Sequence, residues 1–186
     1  MADSNSQSRK LHYLKDLKDY RIAKDEPDIR GWEVYDANHQ PVGTVSDLVV
    51  DKTKEKVRYI DVDIDESILP SDHDPFSAEH EDGIHEYQDS KGSIHMIIPI
   101  GVARIETDKN MVVADGIDQN SLRNIPTYRY RENVPVHSKY EQNVRDNFRD
   151  RNRPVKVNRE TGDMTDDDWY NSDNFNEDRF YGRDRP

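Results

Sequence analysis

Residues 31–65 read GWEVYDANHQPVGTVSDLVVDKTKEKVRYIDVDID, and this stretch decides the fold. Within it, residues 58–65 alternate apolar and polar side chains, which is the period of a strand with one buried face. Residues 42–51 are rich in β-branched side chains, and a short charged turn separates them from the alternating run. The stretch therefore predicts two strands joined by a turn. Further along, residues 97–105, IIPIGVARI, show the same β-rich character.

Six strands are predicted in the whole chain. They span Trp32–Tyr35, Val42–Asp51, Val57–Asp65, Ser93–Ile100, Val102–Thr107 and Met111–Ala114. Turns are predicted at 37–40, 52–56 and 108–110, where Asn110 tolerates positive φ. Pro99 and Gly101 indicate a sharp corner, because Pro cannot donate to a ladder and Gly marks bulges. Strands this short and numerous predict a mainly β protein with a small six-stranded barrel.

Composition limits what the chain can build and bind. Apolar residues make up 32% of the 186 residues and charged residues 35%, so one core of roughly 110 residues is expected. The net charge of −12 argues against nucleic acid and against docking on anionic lipid by charge alone. The chain has no cysteine, which excludes disulfides and thiolate metal sites. No signal peptide or membrane-length apolar run is visible, so we expect a cytoplasmic protein without membrane insertion.

The chain is predicted to divide into four parts. These are a disordered start at 1–9, an N-terminal arm at 10–28, a barrel domain at 29–150 and a disordered tail at 151–186. In the arm, Leu11, Leu14 and Leu17 lie three residues apart, which predicts a short amphipathic helix or turn that packs on the barrel. The barrel domain includes a long acidic and histidine-rich loop at 66–92.

One helix is predicted at the end of the barrel domain. It spans Ser138–Arg149, with Ser138 as the N-cap and Glu141 at the capping-box position. The strands and this helix provide the blocks on which a family resemblance rests.

Three blocks of sequence resemble the PRC-barrel, the small β-barrel of the cytoplasmic domain of the photosynthetic reaction-centre H subunit. They are VGTVSDLVVD at 42–51 with VRYIDVDID at 57–65, IIPIGVARI at 97–105, and LRNIPTY at 122–128 with the charged helix behind it. The likeness runs from about Gly31 to Phe148. A more distant likeness is to the C-terminal domain of the ribosome maturation factor. The resemblance implies a PRC-type barrel that works by docking on other macromolecules.

Two departures limit what the resemblance implies. The H subunit reaches its barrel from an N-terminal membrane helix, and this sequence shows none. The family's carboxylate near the secondary quinone would fall on Lys54. A lysine cannot act as that carboxylate, so proton delivery to a quinone is not supported and no cofactor is expected.

Two groups of titratable side chains are candidates for chemistry. Asp61, Asp63 and Asp65 alternate along one predicted strand, which favours a solvated strand face over a cation-binding stripe or a contact for a basic partner. Four histidines lie in or beside the long loop among carboxylates, namely His73, His80, His85 and His95. Their spacing matches no zinc motif, so a pH-sensitive polar loop is the preferred interpretation and no metal site is predicted.

Two aromatic groups raise the question of partners. Tyr128–Arg131 mixes tyrosine with arginine, as in single-strand nucleic-acid contacts, but packing of the tyrosines under the last helix is preferred. Five aromatic residues follow in the tail, namely Trp169, Tyr170, Phe175, Phe180 and Tyr181. They are typical either of a segment that folds on a partner or of chance in a disordered tail.

No Ser-His-Asp arrangement, Gly-rich phosphate loop or His-Glu-x-x-His run is present, so no catalytic, cofactor-binding or metal-binding residue is predicted. The expected role is a non-enzymatic protein-binding or assembly module with an unidentified protein partner. The alternatives are a peripheral component of a membrane (electron-transfer) complex, or a ribosome-assembly or RNA-processing factor. A homodimer through the arm or a barrel edge is also predicted.

Overall fold

The computed structural model describes residues 11–76, 92–132, 134–149 and 166–183. Eight strands are present in these ranges: β1 (Leu11–Tyr13), β2 (Glu33–Asp36), β3 (Pro41–Asp51), β4 (Lys56–Ile64), β5 (Ile94–Pro99), β6 (Ala103–Glu106), β7 (Met111–Ala114) and β8 (Tyr128–Arg129). The described helices are α1 (Gln119–Leu122), α2 (Ser138–Arg149), α3 (Asp166–Tyr170) and α4 (Glu177–Tyr181).

The strands form one sheet in the order β6-β7-β2-β3-β4-β5-β8, and β1 pairs with β3 outside this path. All pairs are antiparallel except β2 with β7. All six predicted strands are present, with each end within one residue of its predicted position. The six-stranded barrel is corrected to an eight-stranded sheet, because β1 and β8 add to it. The end strands β6 and β8 do not pair within the described ranges, so the sheet is not closed into a barrel.

The long strand β3 joins the two halves of the sheet. Its start pairs with β2 and its end pairs with β1, while β4 runs along most of its length. The ladder with β4 shifts register after Val45 and again after Val49. Such bulges bend a strand and increase its twist, which lets β3 pair with strands in both halves of the sheet. Gly43 is needed in this ladder, since a Cβ there would lie 2.0 Å from the backbone oxygen of Asp63.

The predicted turns are confirmed, and their chemistry is local. In the turn between β2 and β3, one carboxylate oxygen of Asp36 accepts the backbone N–H groups of Asn38 and Gln40, both at 2.8 Å. Asn110 has a φ of 50° at the turn between β6 and β7. An Asx turn and a left-handed asparagine are the devices expected at such positions.

Of the arm predicted at 10–28, residues 11–28 are described; they pack on the sheet, as predicted, but begin as a strand. Residues 11–13 pair with residues 49–51 of β3, and a 3-10 turn follows at Leu14–Asp16. Leu11 and Leu14 are buried. The helix alternative is therefore wrong, because the backbone groups of residues 11–13 bond to one edge of β3 rather than to one another.

Both faces of β4 are covered at its centre, so Asp61, which was expected to face water, is buried. Ile60, Val62 and Ile64 are buried on one face, as expected for the alternating run. On the other face Asp61 is completely buried, whereas Asp63 is half-buried and Asp65 is exposed. The prediction of a solvated face is wrong at Asp61, because β8 and α2 cover that part of the strand.

The helix predicted at Ser138–Arg149 is confirmed as α2. Its cap lies one residue earlier than predicted, since His137 Nδ1 accepts the backbone N–H of Lys139 at 3.1 Å. Glu141 is buried and accepts hydrogen bonds from Tyr59 and Tyr170, instead of serving a capping box with Ser138.

The expectation of a disordered tail at 151–186, with one C-terminal helix before it, does not hold for residues 166–183. These residues form α3, a 3-10 turn and α4, and their aromatic side chains join the core. Low mean hydropathy of the tail indicated disorder, but a few large rings buried on an existing sheet are enough to order a short segment. Residues 1–9, 151–165 and most of the loop at 66–92 (77–91) lie outside the described residues.

Candidate functional site

Residues 166–183, here called the aromatic segment, cover one side of the sheet. They pack on β6 and on the 3-10 turn Ile100–Val102. Trp169 is completely buried, Phe180 is 1% exposed and Phe175 is 7% exposed. Helices as short as α3 and α4 do not persist alone in water, so packing on the sheet holds them. The tail aromatics thus fold on a surface of their own chain.

Gly101 is a point of very close approach between the sheet side and the aromatic segment. A Cβ atom at this position would lie 2.3 Å from the backbone oxygen of Asp173 and 2.6 Å from the backbone nitrogen of Asn176. Both atoms belong to the segment. The absence of a side chain at Gly101 is therefore what lets the two backbones meet.

The carboxylate of Glu141 ties three elements together beneath the segment. Its Oε1 accepts from the hydroxyl of Tyr59 in β4 at 2.7 Å and from the hydroxyl of Tyr170 in α3 at 2.5 Å. Arg145 Nη2 donates to the same oxygen at 3.1 Å. The indole N–H of Trp169 donates to the Tyr59 hydroxyl at 2.9 Å. The segment is thus fixed by directed hydrogen bonds as well as by apolar contact.

Arg58 adds a charged contact to the same region. Its guanidinium carbon lies 4.6 Å from the centre of the Tyr170 ring, and Nη1 donates to the Tyr170 backbone oxygen at 3.3 Å. Asp51 lies 3.7 Å from Nη2. A cation over an aromatic face is favourable, and more so where water is excluded. We call Arg58, Tyr59, Gly101 and Glu141 together the Gly101 surface.

An open groove of about 630 Å³ borders this surface. The turn between β3 and β4 lines one wall, and residues of the aromatic segment line the other. Lys54, the residue at the position of the family's quinone-side carboxylate, lies exposed on the first wall. It is therefore placed to face solvent and the segment.

The comparison with protein families accounts for the sheet. A family model described as the PRC-barrel domain matches residues 26–120, just over half of the chain. The chain belongs to the PRC-barrel domain family. No curated protein matches the chain. The range matched as a PRC-barrel domain contains β2 to β7, with Tyr59 and Gly101, whereas Glu141 and the aromatic segment lie beyond it. The PRC-barrel prediction is confirmed.

A second buried polar cluster centres on Asp61, within the matched range, and extends to Tyr13 and Tyr128 outside it. Its Oδ1 accepts from the Tyr128 hydroxyl at 2.7 Å, and its Oδ2 lies 2.9 Å from His95 Nδ1, which donates. Since the Tyr128 proton points to Asp61, the Tyr13 hydroxyl donates to Tyr128 at 2.5 Å. Ser93 Oγ lies 2.9 Å from His95 Nε2. These hydrogen bonds join the arm to β4, β5 and β8. Because both carboxylate oxygens of Asp61 have partners, the carboxylate can be buried there.

The two described histidines in or beside the predicted polar loop, His73 and His95, do not come together. His95 belongs to the Asp61 cluster, and His73 Nε2 lies 2.6 Å from Thr127 Oγ1 in another part of the domain. His80 and His85 lie outside the described residues. In the described ranges, no group of three or more His, Asp or Glu side chains is arranged to hold a metal. None of the helices in these ranges is long and apolar enough to cross a membrane.

Of the two tyrosines in Tyr128–Arg131, Tyr128 packs under the last helix, as predicted, whereas Tyr130 packs against His95 and the arm instead. Tyr128 packs against Tyr140 of α2 with ring centres 4.8 Å apart. Tyr130 stacks on His95 at 4.7 Å and lies under the Lys15 ammonium at 4.2 Å. Rings held in this way do not provide an open stacking platform for bases.

Sequence reasoning missed the Glu141 cluster and the Asp61 cluster as units. The sequence pattern indicates Asp61 only as one member of a polar strand face, and Glu141 only as a capping-box residue. Gly101 was noticed as a corner, and the signal for its second role was the row of five tail aromatics. Nothing in the sequence connects residue 101 with residue 173.

Alkaline pH should unfold the domain through its buried tyrosines. Burial raises the pKa of six tyrosines above the ordinary value of about 10, namely Tyr13, Tyr59, Tyr128, Tyr140, Tyr170 and Tyr181. Nearby carboxylates, among them Asp61 and Glu141, raise it further. Since each folded-state pKa is raised, the stability is fully present below about pH 10 and is lost above it. Tyrosinate absorbance and far-UV circular dichroism should change together.

The same titration in strong denaturant provides the control, because all tyrosines should then ionise near pH 10. Ionisation of every tyrosine near that pH in the native protein, with the circular dichroism unchanged, would contradict the burial of these hydroxyls.

Proposed function

We propose that this PRC-barrel domain is a non-enzymatic protein-binding module and that the Gly101 surface is its binding site. The observation that supports this is the approach of a peptide backbone to Gly101, where a single methyl group would clash. PRC-barrel domains are often protein-interaction modules, which agrees with this assignment. The aromatic segment is the ligand that occupies the site within the chain.

The chemistry of the bound segment defines the class of ligand. It combines buried rings with polar groups that reach specific partners, as Trp169 reaches Tyr59 and Tyr170 reaches Glu141. Buried aromatic anchors surrounded by directed hydrogen bonds are the usual basis of peptide recognition. The proposed ligand is therefore a short peptide that carries tryptophan and tyrosine and folds into helical turns when it binds.

The non-enzymatic part of the proposal is supported by how the charged groups are used. Glu141 accepts from two tyrosines and Arg145, and Arg145 Nη1 also contacts Asp166 at 2.5 Å. One oxygen of this carboxylate accepts from three side chains, and the arginine beside it is paired with two carboxylates. Such an arrangement suits a rigid binding surface better than proton transfer.

The two alternative roles are assembly roles and differ in the partner. A peripheral membrane-complex component would co-purify with membrane proteins, and a ribosome-assembly factor with ribosomal proteins. The internal use of Tyr128 and Tyr130 favours protein contacts over RNA contacts. Untargeted co-purification followed by mass spectrometry distinguishes these roles. The cytoplasmic location of the protein stays a prediction.

Peptide binding to the full chain tests the proposed site. A labelled peptide of residues 166–183 should bind weakly to the wild-type chain, whose own segment occupies the site. The double substitution Trp169→Ala with Phe175→Ala removes two buried rings and should release that segment. We expect the peptide to bind this variant at least about tenfold more tightly, measured by fluorescence anisotropy, since the competitor is weakened.

Two controls make the result specific. Asn171→Ala changes an exposed residue of the same segment and should leave peptide binding at the wild-type level. Adding Gly101→Val to the double variant should abolish binding, because its side chain fills the space of the segment backbone. Binding that survives Gly101→Val would show that the peptide docks elsewhere, and the proposed site would be wrong.

A further inference from the structure

We infer that the aromatic segment of one chain also docks on the Gly101 surface of a second copy, so that two chains exchange segments and form a reciprocal dimer. The inference rests on the proposed function, because it uses the same surface, and it names the partner as a second copy of this chain. Each site in such a dimer contains the contacts seen within one chain, with the segment supplied by the other chain.

The length of the connection supports exchange. Asp166, at the start of the segment, contacts Arg145 of α2, and α2 ends at Arg149 one helical turn later. One turn advances only about 5 Å along the helix axis. The chain provides residues 150–165 for this gap, and sixteen residues can extend to roughly 55 Å. The connection is far longer than docking within one chain requires, so it can also reach a neighbouring copy.

The nature of the contact also supports a second copy as the partner. The backbone hydrogen bonds of the segment's helices and turn lie within residues 167–183, so its backbone pairs with no strand of the sheet and only its docking contacts would be exchanged. A surface shaped to its backbone at Gly101 accepts the same backbone from any chain that carries it. Exchange of an identical element is a low-cost route to a symmetric dimer, since no new interface has to be created.

Concentration sets the balance between the closed monomer and the dimer. The contacts are the same in both, so the monomer dominates until the protein concentration approaches the effective concentration of the tethered segment. For a connection of this length that value is on the order of millimolar. This dimer differs from the one predicted through the arm, which is already paired with β3 of its own chain.

Complementation between two full-length variants tests the exchange. One variant, Gly101→Val, keeps a good segment but has a blocked surface. The other, Trp169→Ala with Phe175→Ala, keeps a good surface but has a weakened segment. Neither alone should form more than traces of dimer at about 100 µM. Mixed in equal amounts, they should form a heterodimer with about tenfold more signal in native mass spectrometry, because one chain supplies the segment and the other the surface.

The control mixture pairs Gly101→Val with Asn171→Ala, whose surface is filled by its own intact segment, and should give no more dimer than either variant alone. Hydrogen exchange in β4 confirms that each variant keeps its sheet. If Gly101→Val disrupts the sheet, Gly101→Ala replaces it, since its Cβ alone would meet Asp173 at 2.3 Å.

A complementation mixture that stays monomeric would overturn the proposed exchange. The proposed function survives that result if the labelled peptide still binds the double variant, and fails with it if the peptide does not.

Discussion

Val62→Asp is expected to unfold the domain or to lower its free energy of unfolding by about 4 kcal/mol or more. Val62 is completely buried on the apolar face of β4, beside Ile60 and Ile64. An aspartate there would carry a charge into the core with no partner. Urea denaturation followed by circular dichroism measures the loss.

The matched control is Asp63→Asn on the next residue of the same strand. Asp63 is half-buried, with 47% of its side chain exposed, so the substitution should change the free energy of unfolding by no more than about 0.5 kcal/mol. Equal losses for the two variants would mean that the register of β4 is shifted by one residue.

Asp61→Ala is expected to lower the free energy of unfolding by about 3–5 kcal/mol, because it leaves two buried donors without an acceptor. The Tyr128 hydroxyl and His95 Nδ1 both donate to this carboxylate. The loss of their acceptor should also loosen Tyr13 and the arm. Chemical denaturation measures the stability, and hydrogen exchange at residues 11–13 reports on the arm.

A double-mutant cycle with Tyr128→Phe separates this network from simple loss of packing. We expect a coupling energy of about 1–3 kcal/mol between the two positions, since they share one hydrogen bond. Asp63→Ala, two residues away on β4, serves as the control and should cost less than about 1 kcal/mol. Additive losses at Asp61 and Tyr128 would contradict the buried hydrogen bond.

The sheet was predictable because its strands carry local signals. The alternation at 58–65 and the β-branched run at 42–51 determine β3 and β4 wherever the rest of the chain lies. The turns at Asp36 and Asn110 are also local, because each depends on one side chain and its neighbours. The family resemblance added the order in which these elements combine.

The candidate site was not predictable because its contacts are distant in sequence. The strands β1 and β8 have three and two residues, too few to show a period. Alternation at Asp61 shows which face is polar but not whether another element covers that face. Likewise, the low hydropathy of the tail indicates that it has little apolar area. It does not show whether the sheet presents a surface on which its few aromatic rings can be buried.

The two ends of the described chain are tied to the same strand, and this has a consequence for biosynthesis. Tyr13 reaches Asp61 of β4 through Tyr128, and Trp169 reaches Tyr59 two residues earlier on that strand. On the ribosome, β4 is synthesised long before Tyr128 and Trp169. The residues that cover its polar face therefore emerge only later. Contacts between residues more than 100 positions apart make folding slow. The Gly101 surface of a nascent chain therefore lacks its own segment until residues 166–183 have left the ribosome.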